Sequence, residues 1–503
     1  MHKGTLKERA IKNSFWSATS SIINRIGALL FTIILARFLM PENYGIYSIV
    51  FSIIMIFYTF ADLGINPALT KYIAASLSKN KRAVSGYYHY LLRIKFLLTF
   101  SVFFLILILA YPLSEYVFKD SRLFYPLIAG AFYMFALTFD SFYTWLFYAV
   151  EKVNYVSIKE TIAQTLRIFL PIAAFLTLAE AYHIVSVFII LILIYGLLVV
   201  FSLFYLRKLI PAMFSKPLNR LNKVKINKFI GYLALANIAT ALFSYIDAVI
   251  LGFFLQPEFV GYYRASLSIT TGIAGLAYSQ SIVFLPLFAK LKTRKRGDLF
   301  NKAARYLALF SIPLSFGLIV LGRYFIKMLY GEAYIPASWS LYFLALLIFP
   351  AAMVYIIIAL FSAAGKPKAL AKIVSVTCIL SIILNLVLIK SFSIISPTFG
   401  TVGAAIATLL SWTFYLFIGL RATQREFSFS VNYRPLFKAL FAGILMAGVI
   451  LLALHYIQDV TIFIGAGLII FGASIYFILL FMLKEIKKED LQILREVIRR
   501  KIK

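Results

Sequence analysis

The chain has 503 residues, of which 62% are hydrophobic and only 14% charged, yet its net charge is +31. Soluble domains are about half apolar and about a quarter charged, so this composition excludes a water-soluble globule. The single cysteine, Cys378, excludes an intrachain disulfide, and His2, His89, His183 and His455 are scattered without metal-ligand spacing.

Apolar stretches of about 20 residues, the length that crosses a hydrocarbon core of about 30 Å, recur between positions 14 and 483. They predict an all-α polytopic membrane protein with helices at 14–39, 44–69, 88–112, 124–149, 158–179, 183–206 and 229–255. Seven more are expected at 261–288, 303–322, 336–362, 370–390, 400–420, 435–456 and 460–483. The opening MHKGTLKERAIKNS is basic, but the apolar run behind it continues to Leu39 without a small-residue cleavage site, so it reads as a first spanning helix rather than a signal peptide. Thr5 and Glu8 have capping-box spacing, which suits a short surface helix ahead of it.

Basic residues near helix ends stay on the cytoplasmic side of a membrane. Here they gather at the N-terminus and after every even-numbered helix: at 71–82, at Lys152 and Lys159, and at 207–228, 290–305, 366–372, 421–438 and 484–503. The opposite loops hold only Arg37, Lys119, Arg122, Arg323, Lys327 and Lys390. The pattern predicts a multi-pass protein of the plasma membrane, an even number of spans and both termini cytoplasmic. No zinc-finger, basic-zipper or RNA-stacking pattern accompanies the charge, so no nucleic-acid partner is expected. In the tail, Leu491, Leu494, Ile498 and Ile502 recur at helical spacing among basic residues, as in a helix lying on an anionic membrane surface or in a plain solvated one.

An internal repeat organises the chain. ARFLMPENYGIYSIVFSI from Ala36 matches GFFLQPEFVGYYRASLSI from Gly252 without a gap, and the identities include Pro41/Pro257, Glu42/Glu258, Gly45/Gly261 and Tyr47/Tyr263. Six predicted helices separate the copies, an even number, so both enter the membrane in the same direction. Two six-helix lobes in parallel repeat follow, 1–207 and 229–425, joined by a basic linker at 208–228. A helix pair at 426–483 and the tail at 484–503 lie outside the repeat. Parallel repeats in transporters place a substrate site near the midplane between rocking lobes.

ILARFLMPENYGIYSIV, FADLGINPALTKYIA and DAVILGFFLQPEFVGYYRAS together resemble the polysaccharide transporter branch of the multidrug/oligosaccharidyl-lipid/polysaccharide superfamily, the O-antigen flippases. The resemblance covers essentially the whole chain. It implies translocation of a polyprenyl-pyrophosphate-linked oligosaccharide to the outer leaflet, driven by a membrane potential or a coupling ion, H+ or Na+. It also implies membrane lipids as partners, polysaccharide polymerase or glycosyltransferases as candidate partners, and a monomer. NRIGALLFTIILARFL is similar to the lipid II flippases, which carry an arginine where Arg25 stands, although their fuller set of cavity arginines is not evident. A cation-coupled drug or metabolite antiporter of the same fold would commonly carry an acidic residue in the first helix, and 14–39 has none. A non-transporting scaffold or scramblase is the remaining alternative.

No GxxxxGK[ST] loop and no catalytic triad are present, so no catalytic residue, metal or cofactor is assigned and a transporter is expected rather than an enzyme. Ionisable groups deep in a membrane cost at least a few kcal/mol and face an interior. Arg25 and Arg167 lie roughly 15 Å inside helices one and five, where a guanidinium can grip a pyrophosphate or pair with Asp140 or Asp62. Asp62, in the DLG motif near the cytoplasmic end of helix two, and Asp140, within helix four, are gate or coupling candidates, with a structural role the alternative for Asp62. Asp247 and Arg264 approach the outer surface, where they form an outer-gate ion pair or a solvated edge. Gln164, Asn237, Gln280 and Asn385 suit sugar hydroxyls or a neighbouring helix.

Overall fold

A computed structural model describes residues 6–79, 81–216, 221–291, 293–457 and 460–485. These residues are helical, with no strand among them. Fifteen α-helices follow one another: α1 Leu6–Asp62, α2 Ile65–Lys79, α3 Lys81–Pro112, α4 Phe124–Ala149, α5 Val153–Thr177, α6 His183–Leu209, α7 Lys223–Phe254 and α8 Pro257–Lys290. The rest are α9 Thr293–Tyr330, α10 Ser338–Ala345, α11 Ile348–Ala363, α12 Pro367–Ser393, α13 Pro397–Phe427, α14 Arg434–His455 and α15 Ile462–Met482. The amphipathic tail expected beyond residue 485 lies outside the described residues, as does part of the basic linker, 217–220.

Among the described residues ten helices are long and apolar enough to cross a membrane, or eleven if α10 and α11, bent by 47°, count as one span. Fourteen were expected. One of the ten segments, Thr19–Leu77, has 59 residues, about 89 Å if straight and so near three hydrocarbon thicknesses. It bends at Met40, whose φ of 60° and ψ of 168° lie outside the helical region directly before Pro41. The expected helix 44–69 is broken as well, because Leu63 and Gly64 both have positive φ, 45° and 85°, between α1 and α2. Neither α5, which carries Lys159, Glu160 and Arg167, nor α8 is among the ten.

Packing divides the chain into two units, one of Met1–Gly272 with Pro367–Ser411 and the other of Ile273–Lys366 with Trp412–Lys503. This division is drawn by contact and the six-helix lobes by sequence repeat, and the two do not coincide. In the first unit a buried core joins Ile65, Leu69 and Ile73 of α2 to Leu91, Phe142 and Leu146 of α3 and α4. In the second, Leu321 of α9 packs with Met446 and Ile450 of α14 and with Tyr476 and Leu480 of α15.

The repeated turns meet each other inside the first unit. A Cβ added to Gly45 would lie 1.7 Å from the Pro257 carbonyl oxygen, and one added to Gly261 would lie 2.1 Å from that of Pro41. Each copy's glycine therefore holds the other copy's proline backbone, a contact no larger residue permits. The paired glutamates serve the same turns: Glu42 accepts from Arg122 at 2.8 Å, and Glu258 accepts from the hydroxyl of Tyr262.

Candidate functional site

The polar residues of α5, Ser157, Glu160, Gln164 and Arg167, recur at spacings of three and four and so share one helical face. On α1 the facing row is Ser20, Asn24, Gly27 and Phe31, at the same spacing. The two rows interlock. The Ser20 and Ser157 hydroxyls share a hydrogen bond, and Gln164 Nε2 donates to Asn24 Oδ1 at 2.8 Å. Gly27 gives Gln164 its room, since a Cβ there would come within 2.6 Å of the Gln164 side chain.

Arg167 closes the row. Its guanidinium lies 5.6 Å from the Phe31 ring centroid and 5.2 Å from that of Tyr195 on α6, and Nη2 donates to the Tyr195 hydroxyl. Aromatic faces stabilise a desolvated guanidinium electrostatically, which offsets part of the cost of holding it out of water. Glu160 and Asp140 lie within electrostatic reach of the same charge. Two buried atoms at this site, Arg167 Nε and Gln164 Oε1, have no hydrogen-bond partner among the described residues. An unpartnered donor and an unpartnered acceptor thus belong to residues three apart on one helix face.

Two buried ion pairs flank this cluster, and sequence reasoning missed the cation of each. Lys159 Nζ sits 2.7 Å from Asp140 Oδ1 and donates to Thr144 Oγ1 at 2.6 Å, with only 3% of the lysine side chain exposed. Lys159, counted with the cytoplasmic basic residues at the start of the expected helix 158–179, is corrected to a buried position: α5 begins at Val153, five residues earlier than expected, and Lys159 lies six residues inside it. Lys95 of α3, fully buried, pairs with Asp62 and reaches Asn66 Oδ1 at 3.5 Å. Asp62 is the last residue of α1 before the Leu63–Gly64 break, so this pair ties α3 across the bend.

The other candidates lie elsewhere. Asp247 accepts from the Tyr263 hydroxyl at 2.6 Å and from the Ala248 N–H at 2.7 Å, and the same hydroxyl meets Thr408 Oγ1 at 2.9 Å. Among the described residues no ion pair joins Asp247 to Arg264, although Arg264 is close enough for its charge to act on Asp247, Tyr44 and Tyr47. Asn385 Nδ2 donates to the Ser381 carbonyl of its own helix at 2.8 Å, leaving its Oδ1 without a partner among the described residues. Asn237 is half-buried on α7, and the side chain of Gln280 lies outside the described residues. Arg25 is half-buried and follows Asn24, about 100° round the helix from the row that faces α5. Among the described residues no cluster of three His, Cys, Asp or Glu could hold a metal ion.

A bundle of helices of membrane-spanning length with charges buried inside one packed unit defines a polytopic membrane-protein class. The chain belongs to the polysaccharide biosynthesis protein family, whose model matches residues 10–292. An uncharacterised membrane protein of Methanocaldococcus jannaschii is 22% identical over 84% of this chain and 86% of its own length. The probable low-salt glycan biosynthesis flippase Agl15 of Haloferax volcanii is 24% identical over 44% of this chain and 46% of its own. Among solved structures, the lipid II flippase MurJ in an inward closed conformation superimposes with a TM-score of 0.75 at 15% identity, covering 92% of this chain and 97% of that one. An inward-facing MATE multidrug resistance transporter of the MOP superfamily gives 0.67 at 12% identity, over 82% and 98%. The fold is thus that of this superfamily, as the sequence motifs anticipate, and these family and fold neighbours are transporters and flippases rather than enzymes.

Proposed function

We propose that the protein is a flippase that carries a lipid-linked, pyrophosphate-bearing oligosaccharide from the cytoplasmic to the outer leaflet by alternating access. The observation that carries this reading is Arg167: a half-buried guanidinium, braced by two rings, whose buried Nε has no partner among the described residues, three residues along the same helix face from the unpartnered Gln164 oxygen. A guanidinium recognises phosphate oxygens through paired hydrogen bonds, and an amide oxygen accepts from a sugar hydroxyl. The names of relatives point the same way, since Agl15 is called a glycan biosynthesis flippase and MurJ a lipid II flippase.

In this reading the chain crosses the bilayer fourteen times with both termini cytoplasmic. The two arms of α1, 6–39 and 41–62 with α2 continuing the second, give two crossings, α10 with α11 gives one, and each other helix gives one. The six-helix lobes 1–207 and 229–425 rock about the substrate as a monomer, and Lys159 and Asp140 exchange partners with a coupling ion. The test is binding of a polyprenyl-pyrophosphate oligosaccharide to the purified protein. Arg167→Ala weakens it about 30-fold or more, the loss expected when one partner of a buried charge contact is truncated, and Arg167→Lys recovers only part. Unchanged affinity in Arg167→Ala overturns the assignment. An antiporter of the same fold is the second reading, favoured by the buried Asp140 and the half-buried Glu160. It predicts that a small organic cation, and no lipid-linked sugar, competes at this site.

A further inference from the structure

Between α7 and α12, inside the first unit, runs an apolar groove of about 530 Å³ lined chiefly by Tyr232, Leu235 and Ala236 on one side and Ala371, Val376 and Ile379 on the other. Its walls are open: Tyr232, Leu235 and Ile379 are each about 60% exposed. In a membrane such exposure alone means contact with lipid tails. The end of the groove is different.

There Lys368 Nζ stands over the Tyr232 ring at 5.5 Å from its centroid, Lys372 joins the lining one turn further on, and Lys71 of α2 stands over Phe229 at 3.8 Å. None of these three ammonium groups has a carboxylate partner among the described residues. Beside them Ser375 Oγ is buried in the lining without a hydrogen-bond partner among the described residues. Unneutralised positive charge, a spare hydroxyl and an apolar trough therefore follow one another along α12. From Pro367 to Ile379 the helix rises about 18 Å, close to the roughly 15 Å depth of one leaflet of hydrocarbon.

We propose that this groove is a binding site for an anionic phospholipid of the leaflet on the basic side of the protein, with its phosphate on Lys368, Lys372 and Ser375 and an acyl chain along Leu235, Val376 and Ile379. The cations are lysines, compact point charges that suit a single phosphate. A pyrophosphate is gripped better by the forked donors of arginine, and none lines the groove. The depth, one leaflet, fits a membrane lipid rather than a long polyprenyl tail. The site is independent of what the Arg167 cluster carries.

Native mass spectrometry of the full-length protein in mild detergent, with phosphatidylglycerol and phosphatidylcholine added in equal amounts, tests it. The wild type retains one phosphatidylglycerol in preference. The double variant Lys368→Gln with Lys372→Gln loses that retention about tenfold, while Lys368→Arg with Lys372→Arg keeps it. Both lysines are solvent-facing, so thermal unfolding of the glutamine variant in detergent alone matches the wild type. Equal retention of the two lipids by the wild type, or undiminished phosphatidylglycerol on the glutamine variant, overturns the proposal. So does one-for-one displacement of the phosphatidylglycerol by polyprenyl pyrophosphate, which makes the groove a substrate site.

Discussion

Lys159 and Asp140 face each other where neither charge meets water, and breaking such a pair from one side leaves the other ion buried alone. Lys159→Ala is expected to cost about 3–5 kcal/mol, whereas Lys159→Met with Asp140→Leu is expected to restore most of that stability. Thermal unfolding in detergent measures both, and an additive loss in the double variant contradicts a pairwise interaction. The acids of both buried pairs were legible in the sequence, because an aspartate in an apolar run is conspicuous. Their cations were not. Lys159 stands six residues into α5, close enough to its basic end to be counted with the loop charge, whereas Lys95 lies about four turns inside α3 and carries no spacing that ties it to Asp62. Arg167 was legible by depth alone, while its ring partners Phe31 and Tyr195 come from α1 and α6, and no spacing within α5 reveals them.

The elements are held at their closest by the repeat. Gly45 and Gly261 each press on the other copy's proline carbonyl, so a methyl group at either position forces backbone apart. Gly45→Ala and Gly261→Ala are each expected to destabilise by about 1–3 kcal/mol, against helix propensity, which favours alanine by about 1 kcal/mol. Gly231→Ala on α7, where nothing lies within 4 Å of the added atom, is the control and is expected to be neutral or stabilising. Equal unfolding temperatures for all three variants contradict the reciprocal contact. The sequence displays the likeness of the two turns plainly, but likeness carries no information about touching; that needs both copies in one packed unit. Helix ends were read well where turns are sharp, as at α6 and α14, and poorly where α1 continues through a bend at Met40 and a break at Leu63.

At the scale of the whole molecule, hydropathy and charge made the class legible, while broken and charge-bearing helices such as α5 obscured the number of crossings. Orientation is testable with single cysteines, since the native thiol of Cys378 is buried and replaceable by serine. A cysteine at Asp120 is expected to react with an impermeant reagent from outside, and one at Ser215 only after the membrane is opened; the reverse pattern contradicts cytoplasmic termini. The proposed function rests on Arg167. The most direct measurement follows a labelled polyprenyl-pyrophosphate oligosaccharide from one leaflet to the other in vesicles holding wild type, Arg167→Ala or Arg167→Lys. The account predicts that wild type exposes the label to an external enzyme and that Arg167→Ala, folded and inserted as wild type, translocates at least tenfold more slowly, with Arg167→Lys between them. Translocation at the wild-type rate by Arg167→Ala would contradict it.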